Sequence, residues 1–201
     1  MEKETVQNRT AALTRTTKET DISLTLNLDG SGQARIDTGI GFFDHMLHGF
    51  ARHGLFDLTV EVKGDLEVDT HHTIEDTGIV LGNAIRQAIG DKAGIARYGF
   101  RILPMDEALI LCALDLCGRP YLVYDLKLDR EKVGDLETEM VREFFYAISY
   151  GAAMNLHIKQ MEGTNNHHII EGAFKAFGKA LDEATRKDER ISGVLSTKGS
   201  L

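Results

Sequence analysis

The chain has 201 residues, of which 42% are hydrophobic, and it contains only two prolines. This composition is typical of an ordered globular protein with one domain or two small fused halves. The net charge of -8 argues against non-specific binding to nucleic acid, because such binding requires a basic surface. No apolar run reaches the roughly 18 residues that a membrane span needs.

Signals for export or disulfide bonding are missing from the sequence. The N-terminal residues contain no apolar stretch of the kind that a secretory signal has. The two cysteines, Cys112 and Cys117, do not form a C-x-x-C motif, and we expect both to be reduced thiols in or near the core. These observations predict a cytoplasmic protein that binds neither nucleic acid nor a membrane.

The first half of the chain alternates between strand and helix patterns. Apolar residues at every second position predict a strand over 20–28, and a turn signal predicts that 33–37 form its hairpin partner. Helical spacing predicts a helix over 40–51, and alternation predicts a further strand over 55–62. An apolar stripe over 74–88 predicts a second helix.

The second half repeats this order. A buried strand is predicted over 108–116 and, after a turn, another over 121–126. A helix over 138–153, a strand over 155–160 and a final helix over 169–184 follow. The order of elements therefore indicates one unit that occurs twice.

Comparison of the chain with itself supports this duplication. A shift of 98 residues places Leu58 on Leu156, and a shift of 96 aligns six identical residues of the two final helices. We predict an α+β fold with a duplicated β-β-α-β-α unit, in which each half is a sheet with helices packed on one face. The predicted halves span 9–94 and 95–191, and a C-terminal tail spans 192–201.

Both final helices begin with a His-His-x-x-Glu motif. Residues three and four apart share a helix face, so the glutamate stands beside both imidazoles, which point about 100° apart. Imidazole and carboxylate ligands suit Mn, Fe, Zn or Ni. A single motif could be an exposed polar patch, but two copies in a duplicated fold favour metal binding. The candidate donors are His71, His72, Glu75, His167, His168 and Glu171.

Two metal ions require further donors. His45 lies near the start of the first helix, and the 98-residue shift places Glu143 at the equivalent point of the second half. Adding both gives eight donors, or four per ion. An octahedral ion then keeps two positions for substrate or water.

Five stretches of the sequence resemble signature sequences of the imidazoleglycerol-phosphate dehydratase family: residues 37–47, 69–76, 117–121, 166–176 and 196–199. The similarity extends from about residue 9 to the C-terminus. The last stretch reads Ser-Thr-Lys-Gly, whereas the family usually has Ser-Ser-Lys-Gly.

This resemblance implies two Mn²⁺ in each active site, bound by the eight donors. Some members of the family have a histidine where this chain has Glu143, so this donor departs from the family pattern. The resemblance also implies self-association into a 24-subunit shell with active sites at subunit contacts. It implies a small phosphorylated molecule as substrate.

The implied reaction is the loss of water from imidazoleglycerol phosphate to give imidazoleacetol phosphate in histidine biosynthesis. The carbon-bound hydrogen that leaves is barely acidic. We therefore expect the ring to bind as an imidazolate that bridges the metals and expels the hydroxyl through a diazafulvene-like intermediate. The expected catalytic residues are Glu19, His72, Asp106 and Glu171.

The resemblance also implies which residues bind the substrate. The expected phosphate ligands are Arg97, Arg119, Lys175, Ser196, Thr197 and Lys198, the last three of which lie in the tail. The other expected substrate contacts are Glu19, His45, His53, His71, Glu75 and His167. Two of the expected site residues have an alternative interpretation without a role in the reaction. Asp106 would be a solvated carboxylate at a strand edge, and His53 would only cap the first helix.

Two other functions fit part of the pattern. A metal-storage or scaffold assembly would need the metal donors alone, and the set of basic residues speaks against it. A dimetal hydrolase would use a metal-bound hydroxide, but hydrolases favour carboxylate-bridged metals, whereas these motifs are rich in imidazole.

Overall fold

The computed structural model describes residues 9–201, which form two halves of the same design. The elements of the first half are β1 (Thr10–Thr16), β2 (Thr20–Asn27), β3 (Ala34–Asp37), α1 (Gly41–Gly54), β4 (Asp57–Gly64) and α2 (His71–Ile89). Those of the second half are β5 (Tyr98–Met105), β6 (Ala108–Asp115), β7 (Tyr121–Asp125), β8 (Lys132–Val133), β9 (Leu136–Glu137), α3 (Glu139–Gly151), β10 (Asn155–Glu162) and α4 (Asn166–Thr185).

The two main sheets have the same topology. Their strand orders are β1-β2-β4-β3 and β5-β6-β10-β7, and in each sheet only the last pair is parallel. Leu26 lies opposite Leu58 in the first sheet, and Leu114 lies opposite Leu156 in the second. The α+β class and the duplication are therefore confirmed.

Two details of the predicted fold were wrong. Each half begins with a strand that the patterning did not predict, β1 or β5. The predicted hairpin between β2 and β3 does not form, because β4 lies between them and pairs with β3 in parallel, with Ile36 opposite Val60. Parallel neighbours require a crossover, and α1 supplies it.

The second half contains a short insertion. Residues of β2 and β3 match residues 88 positions later in β6 and β7, whereas β4 matches β10 at a distance of 98. The ten additional residues lie between β7 and α3, where β8 and β9 pair as a two-stranded hairpin. This insertion leaves the order of the surrounding elements unchanged.

The four helices lie between the two sheets and carry the core. Helix α1 packs on α4 and α2 packs on α3, so each contact joins the two halves. Phe144 stacks on Phe174 with ring centroids 5.1 Å apart, and Phe50 stacks on Phe177 at 5.2 Å. All four rings are buried, and burial of each such ring contributes about 2 kcal/mol.

Glycine permits the close approach of α1 and α4. A Cβ atom on Gly178 would lie only 2.5 Å from the carbonyl oxygen of Phe50. Helix α1 then ends at Leu55, whose φ of 59° is left-handed and whose N–H donates to the carbonyl of Ala51. The first turns of the two helices also meet, because the rings of Phe42 and His167 have centroids 5.0 Å apart.

None of the helices in residues 9–201 combines the length and the apolarity that crossing a membrane requires.

Candidate metal and phosphate site

Three of the predicted metal donors converge where α1 meets α4. The Nε2 atom of His45 lies 3.9 Å from Oε1 of Glu171, and Nε2 of His167 lies 3.2 Å from Oε2. The donor atoms of all three residues lie within 4.8 Å of one another. We call this set the α1/α4 half-site.

The helices that carry the two motifs, α2 and α4, begin with the same type of side-chain hydrogen bond. Oδ1 of Asp69 accepts the backbone N–H of His71 at 2.8 Å, and Oδ1 of Asn165 accepts that of His167 at 2.9 Å. Such side-chain acceptors satisfy a backbone donor that the first turn leaves free. They place each His-His pair at the start of its helix, as predicted.

Glu171 is held by a lysine one turn further along α4. Its side chain is 11% exposed, and Nζ of Lys175 lies 2.7 Å from Oε1. Burial raises the pKa of Glu171, but the hydrogen bond and the charge of Lys175 outweigh burial, so the pKa lies below its ordinary value. Glu171 is therefore a carboxylate whose Oε2 faces His167.

The equivalent positions at the contact of α2 with α3 are more open. Nε2 of His71 lies 3.5 Å from Oε2 of Glu75, whose side chain is 39% exposed. Glu143 is the fifth residue of α3, as His45 is of α1, but its Oε1 lies 2.8 Å from Nη1 of Arg142. We call His71, Glu75 and Glu143 the α2/α3 half-site. Within residues 9–201, the α1/α4 half-site is the one cluster of three close donors.

The second histidine of each motif points away from its neighbour. The rings of His71 and His72 are 6.0 Å apart and inclined by 69°, and those of His167 and His168 are 6.0 Å apart and inclined by 74°. His72 and His168 instead face carboxylates on the loops around them, so we call them the outward histidines.

Each outward histidine is flanked by two carboxylates. Nδ1 of His72 lies 3.0 Å from Oδ2 of Asp65, and its Nε2 lies 3.7 Å from Oε1 of Glu19. The hydrogen bond with Asp65 is the main cause that raises the pKa of His72.

His168 has a similar environment. Its Nδ1 lies 2.7 Å from Oε2 of Glu107, and its Nε2 lies 3.5 Å from Oδ2 of Asp106. The hydrogen bond with Glu107 raises the pKa of His168, and this bond, followed by those from the N–H groups of Asn165 and Thr164, lowers the pKa of Glu107 to about 2.

A separate pocket of about 770 Å³ collects most of the predicted phosphate ligands. Arg97 and Arg119 line it together with the C-terminal tail, which contributes Ser196, Thr197 and Lys198. The Nε and Nη2 atoms of Arg97 donate to the two carboxylate oxygens of Asp115 at 2.7 and 3.0 Å, while Nη1 donates to the carbonyl of Leu195 at 2.7 Å. The tail is thus tied to the body of the protein through Arg97.

The sixth predicted phosphate ligand, Lys175, lies outside this pocket, and so does His53. Lys175 contacts Glu171 in the α1/α4 half-site. His53 is half-buried in the last turn of α1, and burial together with the charges of Lys175 and Lys179 lowers its pKa. Left-handed Leu55, not His53, caps α1.

Sequence patterns did not identify three acidic residues at these sites, Asp65, Glu107 and Asp115. The duplication contained a signal for one of them, because Glu107 lies 88 residues after Glu19 and thus at the equivalent turn. Asp65 and Asp115 lie near their partners only through the pairing of strands and helices, so no local motif marks them.

The α1/α4 half-site fits a divalent transition-metal ion. It offers two imidazole nitrogens and one carboxylate, a ligand set that accepts Mn²⁺ as well as Zn²⁺. Three donors are fewer than such an ion binds, and the remaining positions are left for other ligands.

Comparison with known proteins agrees with this geometry. Residues 38–181 match the model of the imidazoleglycerol-phosphate dehydratase family. The imidazoleglycerol-phosphate dehydratase of Lachnoclostridium phytofermentans is 68% identical over 194 residues, which cover 96% of this chain and 99% of that protein. The one from Acetivibrio thermocellus is 62% identical and is matched over 96% of this chain and 100% of its own length.

Solved structures are also similar. The crystal structure of imidazoleglycerol-phosphate dehydratase from Staphylococcus aureus superposes with a TM-score of 0.81 at 39% identity, covering 89% of this chain and 99% of that chain. The enzyme from Pyrococcus furiosus gives a TM-score of 0.82 at 38% identity, covering 94% and 100%. This chain belongs to the imidazoleglycerol-phosphate dehydratase family.

Proposed function

We propose that this protein dehydrates imidazoleglycerol phosphate to imidazoleacetol phosphate in histidine biosynthesis, with two Mn²⁺ at each active site. The observation that carries the proposal is the convergence of His45, His167 and Glu171 within 4.8 Å. Family membership supplies the reaction, and the half-site supplies donors for its metal. The buried, unpaired Cys112 and Cys117 are compatible with the cytoplasmic location that we propose.

The metal donors would hold the imidazole ring of the substrate. His45, His167 and Glu171 provide one set, and His71, Glu75 and Glu143 provide the equivalent set at the other helix pair. Bound Mn²⁺ would act as a Lewis acid that stabilises negative charge on the ring. The outward histidines, His72 and His168, would complete the ligand sets of ions held by another subunit.

The proton transfers fall to carboxylates that reach beyond the metal donors. Glu19 and Asp106 lie near Nε2 of the outward histidines, and their side chains are 52% and 72% exposed. Dehydration breaks a C–O bond and a C–H bond, so one acid must protonate the leaving hydroxyl and one base must accept the carbon-bound proton. We assign these transfers to Glu19 and Asp106. The other two expected catalytic residues, Glu171 and His72, would act as metal ligands.

The phosphate would bind in the pocket between Arg97, Arg119 and the tail. Guanidinium groups, hydroxyl groups and the ammonium of Lys198 are suitable donors to a phosphate dianion. Within the described residues, this pocket and the α1/α4 half-site share no residue. This separation supports active sites that are completed at subunit contacts, in the 24-subunit shell that we propose.

The reaction is tested by a direct assay. Purified full-length protein is stripped with a chelator, mixed with imidazoleglycerol phosphate, and analysed by mass spectrometry before and after addition of Mn²⁺. We expect imidazoleacetol phosphate to form only after Mn²⁺ is restored. Mn²⁺ uptake without any product would indicate metal storage instead, and release of inorganic phosphate would indicate a hydrolase.

Subunit sharing is tested by complementation. Arg97→Met removes the phosphate pocket, and Glu171→Gln removes the metal half-site, so each variant alone is expected to be inactive. Particles assembled from both variants would regain part of the activity if each active site combines the two regions from different subunits. Mixed particles as inactive as their parents would contradict sharing.

A further inference from the structure

The carboxylates on Nδ1 of His72 and His168 determine which ring nitrogen is free. Oδ1 and Oδ2 of Asp65 lie 3.2 and 3.0 Å from Nδ1 of His72, and Oε2 of Glu107 lies 2.7 Å from Nδ1 of His168. An ionised carboxylate only accepts hydrogen bonds, so Nδ1 must carry the proton. In a neutral imidazole this leaves the lone pair on Nε2.

The two hydrogen bonds are equivalent, but the residues that make them are not. Glu107 lies in the turn between β5 and β6, and the equivalent residue of the first half, 88 positions earlier, is Glu19. Glu19 is on the other side of its histidine, 3.7 Å from Nε2 of His72. The first half therefore does not use this position to hold Nδ1.

Asp65 replaces that carboxylate from a different element. It follows β4, in which Lys63 pairs with Asp21, whereas the bulge in β10 pairs Glu162 with Leu109, the equivalent of Asp21. Beyond the bulge the offset is therefore 99, and the equivalent of Asp65 is Thr164. Thr164 has no carboxylate, and its N–H donates to Oε1 of Glu107 at 3.1 Å. Two unrelated positions support the same nitrogen, which indicates that the hydrogen bond itself is required.

Both carboxylates are fixed by the backbone around them. Oε1 of Glu107 accepts the N–H groups of Thr164 and Asn165 at 3.1 and 2.7 Å, which leaves Oε2 for His168. The N–H of Asp65 donates to the carbonyl of Glu19 at 3.1 Å, so the loop that carries Asp65 is tied to the turn that carries Glu19. The orientation of each histidine is therefore set before any ligand binds.

We propose that Asp65 and Glu107 are positioning residues that fix the tautomer of His72 and His168, so that Nε2 of each ring is the metal-binding nitrogen. This inference rests on the proposed function for the identity of the metal. In the first half, the use of Asp65 leaves Glu19 free to face the substrate. Glu19 and Glu107 thus occupy equivalent positions but have different roles: Glu19 faces the substrate, and Glu107 holds Nδ1 of His168.

The tautomers are measured first, in metal-free protein. Nitrogen-15 NMR of the imidazole side chains distinguishes a protonated Nδ1 from a protonated Nε2, with His72→Gln and His168→Gln used for assignment. Asp65→Asn and Glu107→Gln place an amide next to Nδ1, which can donate a hydrogen bond to it. We expect each substitution to move its own histidine towards the Nε2-protonated form and to leave the other histidine unchanged.

Metal binding is measured second, by titration of Mn²⁺ followed by electron paramagnetic resonance. Loss of an outer hydrogen bond to a ligating histidine typically weakens binding by about 10- to 100-fold, and we expect this loss for both variants. Glu67→Gln changes an exposed carboxylate in the loop of Asp65, and Glu162→Gln changes one at the end of β10, so both serve as matched controls with unchanged affinity. Asp65→Glu and Glu107→Asp should restore part of the affinity.

Unchanged tautomers in Asp65→Asn would overturn the inference, and so would unchanged Mn²⁺ affinity. Asp65→Asn is the decisive variant because, within the described residues, the side chain of Asp65 bonds only His72. The tautomer experiment needs neither metal nor substrate. A wild-type protein that shows the expected tautomers but fails to bind Mn²⁺ would reject the proposed function and not the role of Asp65 and Glu107 in holding Nδ1.

Discussion

The α1/α4 and α2/α3 half-sites occupy equivalent places in a duplicated fold, yet their chemistry differs. His45 on α1 corresponds to Glu143 on α3, and Glu171 is 11% exposed whereas Glu75 is 39% exposed. Lys175 holds Glu171, but the residue 96 positions earlier, Ile79, carries no charge. The two half-sites therefore differ mainly at the carboxylate, which is buried and held by a lysine in the α1/α4 half-site and more exposed in the α2/α3 half-site.

This difference shows which features of a duplicated fold stay the same and which can change. Strand order and helix packing are the same in both halves, and the register differs only at the bulge in β10, because the core tolerates few changes of volume. Side chains at the helix starts face outward, so they diverged without disturbing the core. The comparison can be sharpened by substitutions that treat the two half-sites in parallel.

The largest difference is expected between Glu171→Gln and Glu75→Gln. Glu171 bridges His45, His167 and Lys175, so its loss should lower turnover by at least about 100-fold, the scale of a lost catalytic carboxylate. Glu75→Gln should also lower turnover, but it should retain more Mn²⁺ at the α1/α4 half-site. Metal content per chain and turnover, measured on the same samples, check this. Equal Mn²⁺ loss in both variants would contradict the distinction between half-sites.

The donor that differs between the half-sites, His45 in one and Glu143 in the other, should control the preference for Zn²⁺ over Mn²⁺. Glu143→His gives the α2/α3 half-site the imidazole that α1 carries, and we expect Zn²⁺ to gain about 10-fold over Mn²⁺ because carboxylate oxygen suits Mn²⁺ and imidazole suits Zn²⁺. The reciprocal His45→Glu should favour Mn²⁺. Competition titrations of the two ions measure the ratio, and Glu139→His, on the exposed start of α3, is the control. A ratio that Glu143→His leaves unchanged would exclude Glu143 as a ligand.

Asp115→Asn should weaken substrate binding without abolishing turnover. It removes the two charge-assisted bonds that orient Arg97 in the phosphate pocket, and we expect KM to rise about 10-fold, which corresponds to about 1.4 kcal/mol, with kcat little changed. Asp188→Asn breaks the exposed pair with Arg190 on the rim of the same pocket and should change KM little. A similar rise in both variants would show that general charge, not Arg97, matters.

The smallest effect concerns stability and pH. Hydrogen bonds from the backbone N–H groups of Ser31 and then Gln33 lower the pKa of Asp57. Because the pKa is lower in the folded state, the stabilisation is present above a pH of about 4 and is lost as the pH falls through the folded pKa. Asp57→Asn should cost about 1 kcal/mol at pH 7 and progressively less as the pH is lowered through the acid range, measured by urea unfolding.

The second half offers the matched variant for this test. Asn155 is the equivalent of Asp57, and its Nδ2 donates to the carbonyl of Arg119 at 2.8 Å. Asn155→Asp replaces this donor with a carboxylate that faces an acceptor, so stability should fall as the pH rises. Parallel pH profiles for the two variants would mean that the assigned hydrogen bonds do not control stability.

Sequence patterning predicted most elements but not the first strand of each half. The inward positions of β5 include Gly99 and Arg101, while Phe100 and Ile102 point outward and are more than half or half exposed. Gly99 is required because a Cβ atom would lie 1.9 Å from the carbonyl oxygen of Ala180 on α4. Tertiary contact therefore determines this strand, and its apolar residues give no usable alternation.

The site could be predicted as far as its motifs are local. The His-His-x-x-Glu spacing and the internal shift marked His45, His167 and Glu171 as candidate donors, and the packing of α1 on α4, which no local pattern predicts, brings these three together. Asp65, Glu107 and Asp115 reach their partners across loops and strands, so no periodicity predicts them. The separation of the phosphate pocket from Lys175 likewise depends on where the tail folds back onto β5 and β6.

The most direct measurement is a titration of metal-free protein with Mn²⁺ in which bound ion and imidazoleacetol phosphate formation are followed together. Because each chain carries two half-sites, we predict no product without metal and full turnover only when two Mn²⁺ are bound per chain. Full turnover by the metal-free protein, or product formation that does not change as the ions bind, would contradict a dehydration that depends on these two sets of donors.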